Sequence, residues 1–463
     1  MERGQPSGAS RLAAGRLAAN ALSWRVDSRS RPHRHPLRWT LLLCTLPLTL
    51  ALSTTTCSTR DVDRDVLSRR GELQYRWARD HLRAPFANYG LVDDLGVQAF
   101  DIILLSNLAS GLMNVGRLTG DRDQELAELA TEVARRALSD SVAPPSFREG
   151  RHLGDHNLYG SHLLLVLSIE HHLWARAGAD PEGSTEHDAI AARIAHALRA
   201  ASLGHATAHA RSYPGSARWP ADQSVTLAAL NLYDREHDTD LSPEPIRRWL
   251  RWMDAHQTDD LPHSEVGTLS YAAIPRGCAL SFLSLYVGRF APEAGARIYR
   301  RYREAHGIDW LGWRGFREWP VGTNGGSDVD AGPVIFGWGT AATGIGLGAA
   351  RLMGDREMTA GIERIADTVG GSVPLSGRYL LAPTLGQAML FSGATATPWD
   401  ERVPPTDVAT SSTGWPVGAA LAWLGLLLGQ VVLMRPVFRR RRWFVRAGQR
   451  VAGGDLTRAA SVE

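Results

Sequence analysis

Four short stretches of the chain gather the groups that acid/base chemistry needs. The first, Asp155-His156-Asn157-Leu158-Tyr159-Gly160-Ser161-His162, packs a carboxylate, two imidazoles and a phenol into the start of one helix. At helical spacing Asp155 shares a face with Tyr159, and Tyr159 shares one with His162. His156 and Tyr159 are the candidates for general acid or base, and Asp155 for a hydrogen bond to substrate. The plainer account is a capping Asp with a buried His and Tyr satisfied by their neighbours.

The second stretch is Tyr213-Pro214-Gly215 with Arg218-Trp219-Pro220-Ala221-Asp222-Gln223, just ahead of the apolar run Val225 to Leu232. Asp222 suits an N-cap, and Trp219-Pro220 suits a fixed loop. A carboxylate beside aromatics also suits an enclosed pocket, where loss of water raises its pKa into a catalytic range. Asp222 is therefore a catalytic candidate, with Tyr213 and Trp219 as binding residues.

The third, Asn324-Gly325-Gly326-Ser327-Asp328-Val329-Asp330-Ala331-Gly332-Pro333, opens the most glycine-rich helix. Two carboxylates at i and i+2 suit a cation or shared acid/base work, and capping by Asp330 is the simpler alternative. Asp330 is the catalytic candidate here; Asp328, and Trp338 just beyond, are binding candidates. Its glycines lack the preceding strand and spacing of a dinucleotide fingerprint. The fourth group is Tyr271, Arg276 and Cys278, all taken as binding residues. No metal ligand set and no cofactor are assigned.

Stepping outward, the elements that must hold these groups come in unequal pairs between Asp61 and Trp399. An apolar, Gly/Ala/Ser-rich helix is followed by an amphipathic, charged one. Ala99 to Leu118 precedes Gln124 to Leu138; Asn157 to Ala177 precedes His187 to Ala201; Ser224 to Arg235 precedes Pro245 to His256. Cys278 to Phe290 precedes Pro292 to His306, and Ile335 to Met353 precedes Arg356 to Val369. Thr384 to Ser392 takes Val66 to Arg83, from the start of the domain, as its partner. A helix apolar on all sides must be surrounded by protein, whereas an amphipathic one faces water. About six such hairpins predict an all-α domain, an (α/α)6 toroid, spanning 60–402. An open solenoid is the weaker alternative. The β signal is poor throughout.

Composition bounds the chemistry. All 51 basic residues are arginine, which excludes Schiff-base and PLP chemistry and any phosphate loop that needs lysine. The arginines crowd into 1–38 and 435–463, and the stretch between carries more acidic than basic residues, so the net charge of +3 does not point to nucleic acid. The run 415–434 is free of charge, long enough to span a bilayer, and followed at once by Arg435 and Arg439 to Arg442. It predicts a transmembrane helix with a cytoplasmic tail at 435–463, tethered through a Pro/Ser/Thr linker at 403–413. Residues 39–57 form a signal peptide or signal anchor behind a basic cytoplasmic leader at 1–38. The expected location is the cell membrane, with the main domain on the extracytoplasmic side. Of the three cysteines only Cys278 lies well inside the domain, which leaves no disulfide framework and no cysteine-based zinc site.

RSYPGSARWPADQSVTLAALNLYDR, with GSDVDAGPVIFGWGTAATGIGLGAARLMGD further on, resembles proteins carrying a linalool dehydratase/isomerase-like domain, over most of residues 70 to 395. The resemblance implies an (α/α)6 barrel around an apolar pocket and cofactor-free acid/base chemistry on a terpenoid alcohol, one group protonating the departing hydroxyl while another takes a proton from carbon. Asp222, His156, Tyr159, Asp328 and Asp330 are suitable residue types. The chain departs from the family in its cysteines, so the family's catalytic residues are not carried over one by one. The leading expectation is a lyase or isomerase taking a small hydrophobic substrate from the adjacent bilayer. The alternatives are a glycoside hydrolase or polysaccharide lyase, marked by paired carboxylates in an open aromatic groove, and a non-catalytic envelope scaffold. Oligomeric state is open.

Overall fold

The apolar stretches become helices buried on nearly every side, and the charged ones become their outer partners. The computed structural model describes residues 64–399, apart from 87–98, 151–152, 180–183, 268–272, 311, 324, 329 and 374. In chain order the helices are α1 (Arg69–Arg83), α2 (Ala99–Thr119), α3 (Asp123–Ala137), the single turn α4 (Pro145–Arg148) and α5 (Asn157–Ala177). Then come α6 (Ser184–Leu203), α7 (Pro220–His237), α8 (Pro243–Ala255), α9 (Gly277–Phe290) and α10 (Pro292–His306). The last are α11 (Thr340–Leu352), α12 (Arg356–Val369) and α13 (Thr384–Ala394). Among the described residues no helix is long and apolar enough to cross a membrane. Both segments read as signal or span, 39–57 and 415–434, lie outside the described residues, as do the leader, the linker and the tail.

The packing order explains the two kinds of helix. α2 packs on α5, α5 on α7, α7 on α9, α9 on α11, α11 on α13, and α13 returns to α2. Each member of this closed cycle has an amphipathic helix against it: α3 on α2, α6 on α5, α8 on α7, α10 on α9, α12 on α11 and α1 on α13. A helix with neighbours on every side has no face to give to charge, which is why residues 101–116 of α2 are buried without a break.

Small residues let the inner helices approach closely. A Cβ on Gly111 would lie 2.3 Å from the ring of the fully buried Phe391, and one on Gly348 would lie 3.4 Å from Gly393 Cα. Gly111→Ala therefore sets two effects against each other. Helix propensity favours alanine by about 1 kcal/mol; overpacking costs about 1–3 kcal/mol, and at 2.3 Å the clash wins. Thermal unfolding is expected to show a lower Tm, partly restored by adding Phe391→Leu.

The two mouths of the cycle differ. At the C-terminal ends of α7 and α9, residues 395–399 cross the opening: the Trp399 ring lies under the Arg289 guanidinium at 3.6 Å, its indole N–H donates to Asn114 at 3.2 Å, and Arg235 donates to the Trp399 carbonyl at 3.1 Å. Burial pulls Arg289 down to about 9. The starts of the same helices hold the candidate residues. Near them, among the described residues, lie three short antiparallel hairpins that a poor β signal did not announce: β1 (Gln257–Thr258) with β2 (Leu261–Pro262), β3 (Gly307–Trp310) with β4 (Trp313–Phe316), and β5 (Val334–Ile335) with β6 (Trp338–Gly339). The last corrects the helix expected from Ile335. Residues Phe336 and Gly337 both take positive φ, 51° and 85°, the turn that joins two strands without splaying them, so helix starts only at Thr340.

Candidate functional site

The starts of α5 and α7 are stitched together by the residues just before α7. The Asn157 and Leu158 amides, which have no partner inside α5, donate to the carbonyls of Arg211 and Ser212 at 3.1 and 3.0 Å. Ser212 then turns its hydroxyl to the Asp222 carboxylate. Gln223 fixes the same loop, accepting from Ala210 N at 3.0 Å and donating to Ser202 at 2.9 Å. One step further, Thr226 donates to Asn157 Oδ1 at 2.9 Å.

Asp222 is not an N-cap. Trp219 holds that position, with Pro220 opening the helix, and places Asp222 in its first turn. Protein atoms surround its carboxyl, while part of the residue's surface stays accessible. Burial raises its pKa to about 7, the Ser212 hydrogen bond opposes the rise, and the negative charge of Asp330 adds to it. Asp222 and Asp330 are thus close enough to sense each other, although 108 positions separate them in sequence.

The start of α9 brings a second group. Cys278 donates its thiol to Glu318 Oε1 at 3.1 Å and its amide to Glu318 Oε2 at 3.0 Å. Arg276 donates to the same Oε1 at 2.9 Å, reaches Asp328 at 2.7 Å, and lies over the Trp319 ring at 4.8 Å. Glu318 is wholly buried, and burial raises its pKa against the pull of Arg276. Asp328 is exposed and also accepts from Ala331 N at 2.8 Å, which shapes its loop. Gly277 is required here: a Cβ would sit 2.0 Å from the Arg317 carbonyl, because Gly277 N donates to Glu318 O at 2.8 Å.

Asp222, Arg276, Cys278, Asp328 and Asp330 therefore belong to one group, with the Asp330 charge felt by both Asp222 and Cys278. Asp330 is exposed and precedes the start of α11 by ten residues, so it caps nothing there. His156 stands at the start of α5, its Nε2 2.6 Å from Ser146 Oγ and its ring edge-on to Phe147. Asp155 lies close enough to Arg218 to act on its charge. Tyr213 and Trp219 lie side by side, their rings tilted by 49° with centres 5.9 Å apart. Trp338 in β6 bridges to Arg317 and covers Gly315. Tyr271 lies outside the described residues.

Tyr159 does not join the group. Its hydroxyl donates to the Ala137 carbonyl at 2.7 Å, its ring packs edge-on to Phe147 at 4.7 Å, and burial raises its pKa. With its one proton spent on a backbone carbonyl, it ties α5 to the end of α3. His162 is likewise internal, 2.6 Å from Ser106 and pushed down to about 3 by burial, so it stays neutral.

Sequence reading missed Glu318, Ser212 and Trp319. The only signal was an acid in the otherwise aromatic and basic run Trp313-Arg314-Gly315-Phe316-Arg317-Glu318-Trp319, where a charge is costly unless paired. Cys278, buried and beside Glu318, has its pKa pushed well up by lost hydration and by that carboxylate, against the pull of Arg276. It is a hydrogen-bond donor, not a nucleophile. A thiol reagent at pH 8 is expected to leave Cys278 unmodified in the folded protein and to label it after denaturation, as read by peptide mass.

No family model matches this chain, and no curated protein matches it. The likeness to a linalool dehydratase/isomerase-like domain thus finds no counterpart there. Among solved structures the chain is similar to a glycosyl hydrolase family 88 protein from Bacteroides vulgatus, with 12% identity and a TM-score of 0.44, covering 71% of this chain and 98% of that one.

Proposed function

We propose that the chain is an (α/α)6-type enzyme that breaks a bond in a hydroxylated, carbohydrate-like substrate by acid/base catalysis at the open mouth of the helix cycle. Asp222 is the general acid, and Asp330 is the partnering carboxylate. What supports this reading is the placement of the Asp222 carboxyl in the first turn of α7, hydrogen-bonded to Ser212, where burial raises its pKa to about 7 and the Asp330 charge adds to the rise. Two carboxyls whose surroundings differ this much divide acid and base roles between them. The aromatic rings of Tyr213 and Trp219, both partly exposed, are of the kind that sugar rings cover. The closed cycle of apolar helices with amphipathic partners supports the toroid.

A dehydratase acting on a terpenoid alcohol, the other reading, needs a dry apolar cavity. Exposed Asp328 and Asp330, with Arg276 between Asp328 and Glu318, favour a wet, polar site instead. The chain's course favours it too. Trp399 lies at the opposite end of α7 and α9 from Asp222 and Cys278, roughly 20 Å along the helices. If residues 415–434 span the bilayer, as their composition suggests, the short linker holds the plugged mouth to the membrane and turns the site toward the extracytoplasmic space.

A panel of oligosaccharides and aryl glycosides, run beside allylic terpenoid alcohols, tests the proposal. Release of reducing ends or of the aryl group, lost in Asp222→Asn, is the expected result. Turnover confined to the terpenoid alcohols would restore the dehydratase reading.

A further inference from the structure

The plugged end of the helix cycle carries three neighbouring pairs of similar character: Glu170-His171 late in α5, His187-Asp188 early in α6, and Glu236-His237 at the end of α7. Their side chains cross-pair. His187 Nδ1 lies 2.7 Å from Glu170 Oε2, His171 Nδ1 lies 3.2 Å from Asp188 Oδ1, and His172 Nδ1 lies 3.1 Å from Glu236 Oε1. Within this belt one nitrogen or oxygen from each of His171, Asp188 and His237 lies within 4.8 Å of the other two. The rings of His171 and His237 are 4.3 Å apart between centres, and Tyr233 packs on the other imidazole neighbour, His237, at 4.3 Å.

We propose that His171, Asp188 and His237 bind one divalent transition-metal ion of the zinc class, leaving at least one coordination position for water or an outside ligand. Two imidazoles and one carboxylate are a donor set that such ions accept, with an open position when only three protein ligands are present. Metal–ligand bonds of about 2.0–2.2 Å place donor atoms roughly 3–4 Å apart. Small side-chain rotations from the present spacing reach that range. All three ligands stand on helices, so no loop must be ordered to form the site. Both α5 and α7 end here, and the unpaired carbonyls at helix C-termini favour a cation.

A simple His171–Asp188 ion pair accounts for less. It leaves His237 Nε2 buried with no hydrogen-bond partner beside that pair. The neighbouring pairs Glu170–His187 and His172–Glu236 satisfy the adjacent imidazoles without drawing on the three proposed ligands. Asp222 and His237 are at opposite ends of α7, roughly 20 Å apart. The ion therefore takes no part in chemistry at Asp222; it clamps the ends of three helices.

The test uses the full-length chain in detergent, purified without a histidine tag, stripped with EDTA and titrated with Co2+ and then Zn2+. The expected result is one Co2+ per chain with the visible absorption of a low-coordinate nitrogen and oxygen site, displaced by Zn2+. Saturating Zn2+ should raise Tm by several degrees, as any ligand of the native state does. Asp188→Asn and His237→Gln, shape-conserving changes chosen to preserve folding, should each weaken binding about tenfold or more, and His172→Gln clearly less. Circular dichroism verifies the fold of each variant before titration. A wild-type chain that binds Co2+ no more tightly than His171→Gln/His237→Gln overturns the proposal, as does an equal loss in His172→Gln.

Discussion

Asp222→Asn is expected to lower kcat/KM by about 10²–10⁴, the usual worth of a positioned general acid, while the protein becomes more stable at alkaline pH. Both follow from one carboxyl. In the unfolded chain an Asp loses its proton near pH 4; in the folded protein this one holds it to about 7. The folded state therefore binds more protons between those values, and stability falls as pH rises from about 4 to about 7. Above 7 the full penalty applies, below 4 none. Three pH units correspond to about 4 kcal/mol at most, and the partial exposure of the residue reduces this to roughly 1–3 kcal/mol. Asparagine removes the ionisation but keeps the shape, so its Tm should exceed wild type at pH 8 and match it near pH 4. In the wild type kcat/KM should fall as pH rises through about 7, when the acid loses its proton. Unchanged activity in Asp222→Asn, or equal stability gains at both pH values, would remove Asp222 from the catalytic role.

Arg276→Ala is the change with the largest expected cost in stability. Glu318 has no exposed surface, and its charge is balanced by Arg276 together with the Cys278 amide and thiol. Removing one member of a buried pair leaves the other uncompensated, at about 3–5 kcal/mol. The Asp328 contact is exposed and adds little. Arg276→Lys should recover only part of the loss, because an ammonium cannot reach Glu318 and Asp328 together while stacking on Trp319. Adding Glu318→Gln to Arg276→Ala should recover more, since the stranded charge is then gone. Urea unfolding of the four proteins decides it: a cost under about 1 kcal/mol for Arg276→Ala, or no relief from Glu318→Gln, would mean that Glu318 does not need the arginine.

Asp222 was visible because an acid, two aromatics and a proline stand directly before an apolar helix. Glu318 was not, because its partners Arg276 and Cys278 lie some forty residues earlier in the chain, and only the return of the segment after β4 to the start of α9 brings them together. Tyr159 was misjudged for the opposite reason. Its local company of Asp155, His156 and His162 looked reactive, but its hydroxyl points out of that group to the end of α3, which no spacing within α5 can reveal.

The alternation of apolar and amphipathic stretches by itself determined that the domain is helical and paired, because a helix with no polar face must be enclosed and one with a polar face must border water. Most helix ends followed to within a few residues from the polar breaks between runs, although Pro220 and Pro243 open α7 and α8 earlier than expected. Closure of the six inner helices, the plug at Trp399 and the hairpin before α11 were left to tertiary structure. So was the influence of the Asp330 charge on Asp222. Desolvation and charge proximity set the chemistry of a carboxyl, and both are properties of the three-dimensional surroundings that residue order alone does not carry.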